Sequence, residues 1–180
     1  MMFARTARLT LRPGWREDAP ALLAAIGHES VVRNLSSAPW PYTLADAESA
    51  LARVYAQPGP AFLIMAHDEG GCRLVGGIGL GPFNEEAHDL GYWLTPAAWG
   101  RGYASEAGRA VLALATSLGI GRISAGHFAD NPASGAVLRK LGFVATGAVL
   151  PTWSSGRGCD VTSIEYAIDL RPAPDQRIAA

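Results

Sequence analysis

Residues 90–107 read LGYWLTPAAWGRGYASEA, and the fold follows from how this stretch is divided. Leu90 to Leu94 form a short apolar run. Thr95-Pro96 ends it, because proline has no backbone donor and stops strand pairing. Gly100-Arg101-Gly102 comes next. From Tyr103 onward the pattern turns helical: Ala107, Ala110, Val111, Leu114, Ala115 and Leu118 recur at spacings of three and four, so they share one helix face. The stretch predicts a strand, a glycine loop and a helix N-terminus.

Such a junction has a chemical use. The first turn of a helix carries N–H groups without intrahelical partners, at the positive end of the helix dipole, and these attract anions. Glycines let the backbone approach the anion and reach positive φ, and Arg101 adds a cation suited to phosphate. The pattern predicts a phosphate or pyrophosphate cradle; a tight turn is the plainer reading. It is not a P-loop, since no Gly-Lys-Ser/Thr follows, and it lacks the third glycine of the dinucleotide fingerprint.

Residues 130–143 read DNPASGAVLRKLGF. Asn131-Pro132 predicts a helix start, with asparagine as N-cap and proline in the first turn. Gly142 closes that helix after Leu141. Together the two stretches resemble the GNAT-superfamily N-acetyltransferases, with a closer likeness to the ribosomal-protein N-terminal (Rim-type) branch. The likeness is carried by Leu90-Gly91-Tyr92-Trp93-Leu94, by the run from Trp99 to Ala107, by Asn131-Pro132-Ala133-Ser134 and by Leu138-Arg139-Lys140-Leu141-Gly142-Phe143. Arg8-Leu9-Thr10-Leu11-Arg12 resembles that branch's opening strand.

The resemblance implies a fold: an α/β (α+β) domain with a mixed, mostly antiparallel sheet whose central strands splay apart, flanked by helices. Residues 89–94 and 123–128 would be those strands, with the pantetheine arm in the gap. It also implies acetyl-CoA as cosubstrate and no metal. The backbone of Gly100, Arg101, Gly102, Tyr103 and Ala104 would hold the pyrophosphate, behind Trp99. The backbone of Trp93 and Leu94 would pair with pantetheine amides, and Asn131 would bond the same arm. Glu106 would orient the loop or cap the helix start, where a carboxylate is favoured. The family's tyrosine, seven residues after the asparagine, is replaced by Leu138, so Ser134 is taken as proton donor. Trp99 stands where Gln or Arg is usual. For the base, Asp89, His127 and a water relay stay open. Trp40, Tyr42, Phe83, Trp153, Ser154 and Arg157 are expected to wall the acceptor pocket. The acceptor would be a primary amine, on a protein N-terminus or a small molecule. A catalytically silent CoA-binding sensor is the competing reading. Family members pair through sheet edges, so a homodimer is a further expectation.

Elsewhere the chain reads as strand 9–11, a helix from Asp18 to Gly27, a loop at His28-Glu29, a helix from Thr43 to about Gln57, and a hairpin of strands 62–66 and 74–80. Gly76, Gly77 and Gly79 weaken the second of these strands and predict a bulge or a close backbone neighbour. Strands 144–150 and 163–169 form a last pair around a loop at 151–158, and residues 171–180 read as a frayed tail. The order is β-α-α-β-β-β-α-β-α-β-β in one domain of residues 1–180, with its core over about 8–169. At 180 residues one domain is the default. A net charge of −1 offers no field for nucleic acid, no run approaches a membrane span of about 20 residues, and Cys72 and Cys159 lack metal-ligand spacing. A reduced cytoplasmic protein is expected.

Overall fold

The structure, a computed structural model, describes residues 2–56, 59–68, 71–82 and 88–170. Its strands are β1 (Ala4–Arg5), β2 (Leu9–Arg12), β3 (Ala61–Asp68), β4 (Gly71–Pro82), β5 (His88–Leu94), β6 (Arg122–Phe128), β7 (Val144–Ser154) and β8 (Cys159–Asp169). Its helices are α1 (Ala19–Ile26), α2 (Glu29–Val32), α3 (Leu44–Ala56), α4 (Tyr103–Ser117) and α5 (Pro132–Lys140). The strands form one sheet in the order β1-β2-β3-β4-β5-β6-β8-β7. Every neighbouring pair is antiparallel except β5 and β6.

The period-2 alternation of the strands decides which side chain meets which helix. On one face Leu9, Leu11, Ile64, Leu90, Ile123 and Ala125 pack with Val111 of α4 and Leu138 of α5. On the other, Leu63 packs with Leu22 and Ile26 of α1 and Leu51 of α3, with Met65, Leu74 and Trp93 at the margin. Residues 62–65 alternate between the two clusters. Odd-numbered positions of β5 therefore face α1, and even-numbered ones face α4 and α5.

The parallel pair is short. His88 pairs with Ile123 and Asp89 with Ser124, and there the ladder stops. Beyond it, residues 90–94 of β5 have no partner on β6, whose next positions are taken up by β8 alone. The two strands form a wedge, closed at Asp89 and open at their C-terminal ends. In sheets with parallel strands that end is where ligands bind.

The helix ends follow the residues placed there. Gly102 caps α4 in a left-handed conformation (φ 77°), and Gly142 follows α5 at φ 93°. The Asn131 side chain accepts from the Ser134 N–H, with Pro132 opening the helix. Thr43 and Asp46 bond reciprocally at the start of α3, as a capping box does.

Three expectations change. His28-Glu29 is not a loop: the His28 carbonyl accepts from Val31 and Val32 and starts a helical turn, α2, which buries both valines. Strand β1 is added at the sheet's edge, paired with β2. The first half of the loop at 151–158 is strand: Pro151, Thr152, Trp153 and Ser154 pair with Thr162, Val161, Asp160 and Cys159, and residues 155–158 form the turn. Proline is tolerated there because β7 is the last strand, and an edge strand can turn its donor-free side outward. The expected positions at 57–58, 69–70, 83–87, including Phe83, and 171–180 lie outside the described residues.

Candidate active site

At the open end of the wedge, the chain leaves β5 through a short helical turn at residues 96–98 and enters the glycine loop. Gly100 and Gly102 both hold positive φ, 73° and 77°. A Cβ at Gly100 would meet nothing within 4 Å, so the loop is open on its outer side. The first intrahelical bond of α4 runs from Glu106 N to Gly102 O, which leaves the N–H groups of residues 103–105 pointing past the helix end. Tyr103 and Ala104 are buried and Arg101 is exposed.

Arg8, from β1–β2, braces this loop. Its Nε and Nη2 bond the Glu106 carboxylate at 2.8 and 2.6 Å, its Nη1 donates to the Arg101 carbonyl at 3.0 Å, and its guanidinium lies 4.8 Å from the Tyr103 ring centroid. Thr6 donates to Glu106 as well. Burial works against the Glu106 charge, but the bonds from Thr6 and Arg8 prevail and hold its carboxyl below the usual range. Trp99, which replaces the usual polar residue, is half-exposed, and its indole Nε1 donates to the Leu94 carbonyl at 2.9 Å.

On the other lip of the wedge stand Asn131 and Ser134. The Ser134 hydroxyl lies 2.7 Å from Tyr92 Oη, and the Tyr92 hydroxyl is also 3.0 Å from the Ser134 carbonyl. Burial pushes the Tyr92 phenol up to about 12, with the Ser134 bond pulling slightly the other way. Tyr92 belongs to the quoted motif, and its even position on β5 was the signal that it would face α5. Leu138, in the place of the family tyrosine, is fully buried in the core.

The two candidate bases stand on opposite faces of the sheet. His127 shares the face of Ile123 and Ala125. Its Nδ1 donates to the Phe128 carbonyl at 2.8 Å, its ring lies 5.5 Å from the Tyr166 ring, and its Nε2 fits against α5 where Gly135 leaves room: a Cβ there would be 2.5 Å away. Asp89 faces the α1 side. Burial, and second the charge of Glu165, push its carboxyl up to about 6.

Beside Asp89 on that face, Gly77, Gly79 and Gly91 lack side chains, and Gly79 pairs with Gly91. They floor a cavity of about 220 Å³ walled by Leu22, Ile26, Tyr42 and Trp93. Among the described residues, no charged side chain lines it. Of the expected acceptor wall, Tyr42 is in place. Trp40 and Trp153 are exposed. Ser154 is fully buried and donates to the Leu35 carbonyl. Arg157 is committed elsewhere: Nη1 and Nη2 grip the Asp130 carboxylate at 2.7 and 3.0 Å, and Nε donates to the Arg33 carbonyl. Its fork fastens the β7–β8 turn to the end of β6 and does not stand open for a substrate carboxylate. Among the described residues, no group of three or more His, Cys, Asp or Glu is placed to hold a metal ion.

Comparison with known proteins agrees with this architecture. A profile described as "Acetyltransferase (GNAT) domain" matches residues 8–144. The uncharacterized N-acetyltransferase YoaA of Bacillus subtilis is 31% identical over 160 residues, covering 80% of this chain and 84% of its own. The crystal structure of a GNAT-family acetyltransferase from Bacillus anthracis superposes with a TM-score of 0.80 at 23% identity, over 93% of this chain and 98% of that one. RimL, the ribosomal L7/L12 alpha-N-protein acetyltransferase solved with coenzyme A, superposes with a TM-score of 0.75 at 20% identity, over 93% and 98%. At such identities the superpositions speak for the fold alone, while the profile match and the relative at 31% speak for descent. The chain belongs to the GNAT acetyltransferase family and is an acyltransferase.

Proposed function

We propose that this chain transfers an acetyl group from acetyl-CoA to a primary amine that carries a small, uncharged apolar body, whether a protein N-terminus or a free amine. One observation carries the reading. The uncharged cavity and the Asp89 carboxylate share a face of the sheet, and the wedge between β5 and β6 runs from Asp89 to the glycine loop and Ser134. The cavity, at about 220 Å³, is smaller than the roughly 300–1,000 Å³ of pockets for drug-sized ligands. It suits one apolar side chain or a short alkyl or aryl group.

The residues present fit the cosubstrate. Two left-handed glycines, open space outside Gly100 and the free first-turn N–H groups of α4 suit a pyrophosphate. The unpaired edge of residues 90–94 suits the amides of a pantetheine arm, and Asn131 stands beside the same opening. When bound, acetyl-CoA supplies a thioester carbon open to attack by a neutral amine.

Asp89 makes that amine neutral. With a carboxyl near 6 it is ionised at pH 7 and yet binds a proton more strongly than an exposed aspartate. Its carboxylate accepts the proton of the acceptor ammonium, and the apolar cavity on the same face takes the acceptor's apolar body. Ser134 serves the sulfur side. Tyr92 donates to the Ser134 carbonyl with its oxygen 2.7 Å from Ser134 Oγ, and the Ser134 hydroxyl donates onward. A thiol titrates near ~8.5 and the Tyr92 phenol near 12, so full proton transfer from this pair is uphill. The two hydroxyls stabilise a departing thiolate by hydrogen bonding and leave its proton to come from solvent or the acceptor.

Thiol release from acetyl-CoA tests the reading, with 2-phenylethylamine, a peptide with an N-terminal apolar residue and the hydrophilic amine ethanolamine as acceptors. The apolar acceptors should turn over with the higher kcat/KM. Equal or better use of ethanolamine would remove the cavity from the account.

A further inference from the structure

Odd positions of β8 share the face on which Asp89 lies. Ser163, Glu165 and Ala167 stand opposite Phe128, Gly126 and Ser124 of β6, and Ser124 in turn stands opposite Asp89 of β5. Gly126 is a notch in this surface. A Cβ there would lie 2.9 Å from Glu165 Oε1, 3.1 Å from Oε2 and 2.9 Å from Ser163 Oγ. The Glu165 carboxylate therefore lies down over the backbone of β6 instead of reaching out into water. Ser163 fixes it there, donating to Oε1 at 2.6 Å. A side chain rooted two strands from β5 is in this way laid across β6 toward Asp89. An alanine at 126 could not allow it.

Other charged groups also stand on this face, the nearest in register being Arg122, two residues along β6 from Ser124. Arg122 and Asp169 oppose each other at the outer ends of β6 and β8. Arg157 lies over the Phe128 ring at the opposite end, paired with Asp130. Helix α1, which packs on β4 and β5, carries no ionisable side chain, and β4 offers Gly81 opposite Asp89. Among these described groups, Glu165 is the one laid over β6 from the β8 side and the one whose charge opposes that of Asp89.

We propose that Glu165, laid over Gly126 and held by Ser163, is a positioning residue that sets the proton affinity of Asp89 and so the pH at which the enzyme accepts its amine. The proposal rests on Asp89 as the base. The negative charge of a neighbouring carboxylate opposes ionisation of Asp89 and so raises its hold on a proton. Their joint negative charge also attracts an acceptor that arrives as an ammonium. The direction of the Asp89 shift agrees, with Glu165 as its second cause after burial.

The test needs no knowledge of the natural acceptor. The Asp89 side-chain carboxyl is titrated by carbon NMR in the wild type, in Glu165→Gln and in Gly126→Ala. Glu165→Gln is isosteric and should lower the Asp89 midpoint by roughly half a unit to one unit. Gly126→Ala, which lifts Glu165 away, should move it the same way. A midpoint unchanged in Glu165→Gln overturns the proposal. The pH profile of kcat/KM with acetyl-CoA and 2-phenylethylamine then separates the two claims. If Asp89→Asn keeps the acid limb of the wild type, Asp89 is not the base and both claims fall. If Asp89→Asn loses the limb while Glu165→Gln leaves it in place, the role of Glu165 alone falls. A limb lost in the first variant and moved to lower pH in the second supports both.

Discussion

On the function proposed here, Asp89 is where the chemistry of this chain concentrates. It stands at the closed end of the wedge, on the cavity side, with burial and Glu165 both opposing its charge. Its kcat/KM profile should have an acid limb near pH 6, and Asp89→Asn should remove that limb and lower kcat/KM by about a hundredfold or more. Ser134→Ala should slow kcat by about tenfold to a hundredfold with little change in acetyl-CoA affinity, measured by calorimetry. Tyr92→Phe removes the O–H that supports Ser134 and should cost less, a few-fold. An undiminished kcat in Ser134→Ala would mean that the sulfur is served from elsewhere. At this scale the sequence was half-legible. Asp89, Ser134 and Asn131 could be picked out because they flank motif positions. His127 could not be told from Asp89 as a base, since which face each occupies depends on strand register. Glu165 was hidden in an apolar strand, its meaning dependent on a glycine 39 positions earlier that β6–β8 pairing brings opposite.

The elements that matter are the β5–β6 wedge and the turn into α4. The wedge could be anticipated because Thr95-Pro96 and the glycines end β5, and because a strand, a helix and another strand in succession imply a parallel crossover. The extent of pairing could not: two residues of ladder before separation is a property of the whole sheet. The β7–β8 hairpin is longer than its sequence suggests because Pro151 looks like a loop residue, and edge position overrides that cue. Arg157 looked free for a substrate and is in fact the clasp on Asp130, a pairing that no sequence spacing reveals. The turn gives a direct test. Gly102→Glu places bulk and negative charge at a residue with φ 77°, at the helix end meant for phosphate. CoA binding followed by calorimetry should be lost, with the far-UV circular dichroism unchanged. Retained binding would place the phosphates elsewhere.

Over the whole molecule, two apolar clusters sandwich one sheet. The cluster around α4 and α5 backs the proposed cosubstrate side; the thinner one around α1 and α3 opens into the cavity proposed for the acceptor. Function has a cost in stability here. A carboxyl held near 6 in the fold and near 3.8 in the unfolded chain binds its proton more tightly when folded. Its contribution is therefore full below about pH 4, is lost as pH rises through about 6, and becomes a standing penalty above that. At ~1.4 kcal/mol per unit the penalty is on the order of 3 kcal/mol. Asp89→Asn should raise the Tm at pH 7.5 by several degrees, and the gain should vanish as pH falls toward 4. A gain equal at both pH values would mean that packing, not charge, is responsible. The family and its layered architecture were legible from residues 90–107 and 130–143 together. The acceptor was not, because its cavity is assembled from α1, the segment before α3 and the glycines of β4 and β5, none of which forms a local motif.

The most direct test of the central claim is the rate of thiol release from acetyl-CoA with 2-phenylethylamine, across pH, for the wild type beside Asp89→Asn. The account predicts turnover in the wild type that rises through an acid limb near pH 6, and a limb absent from the variant. No turnover with this or any other primary amine, or a limb that Asp89→Asn leaves in place, would contradict it.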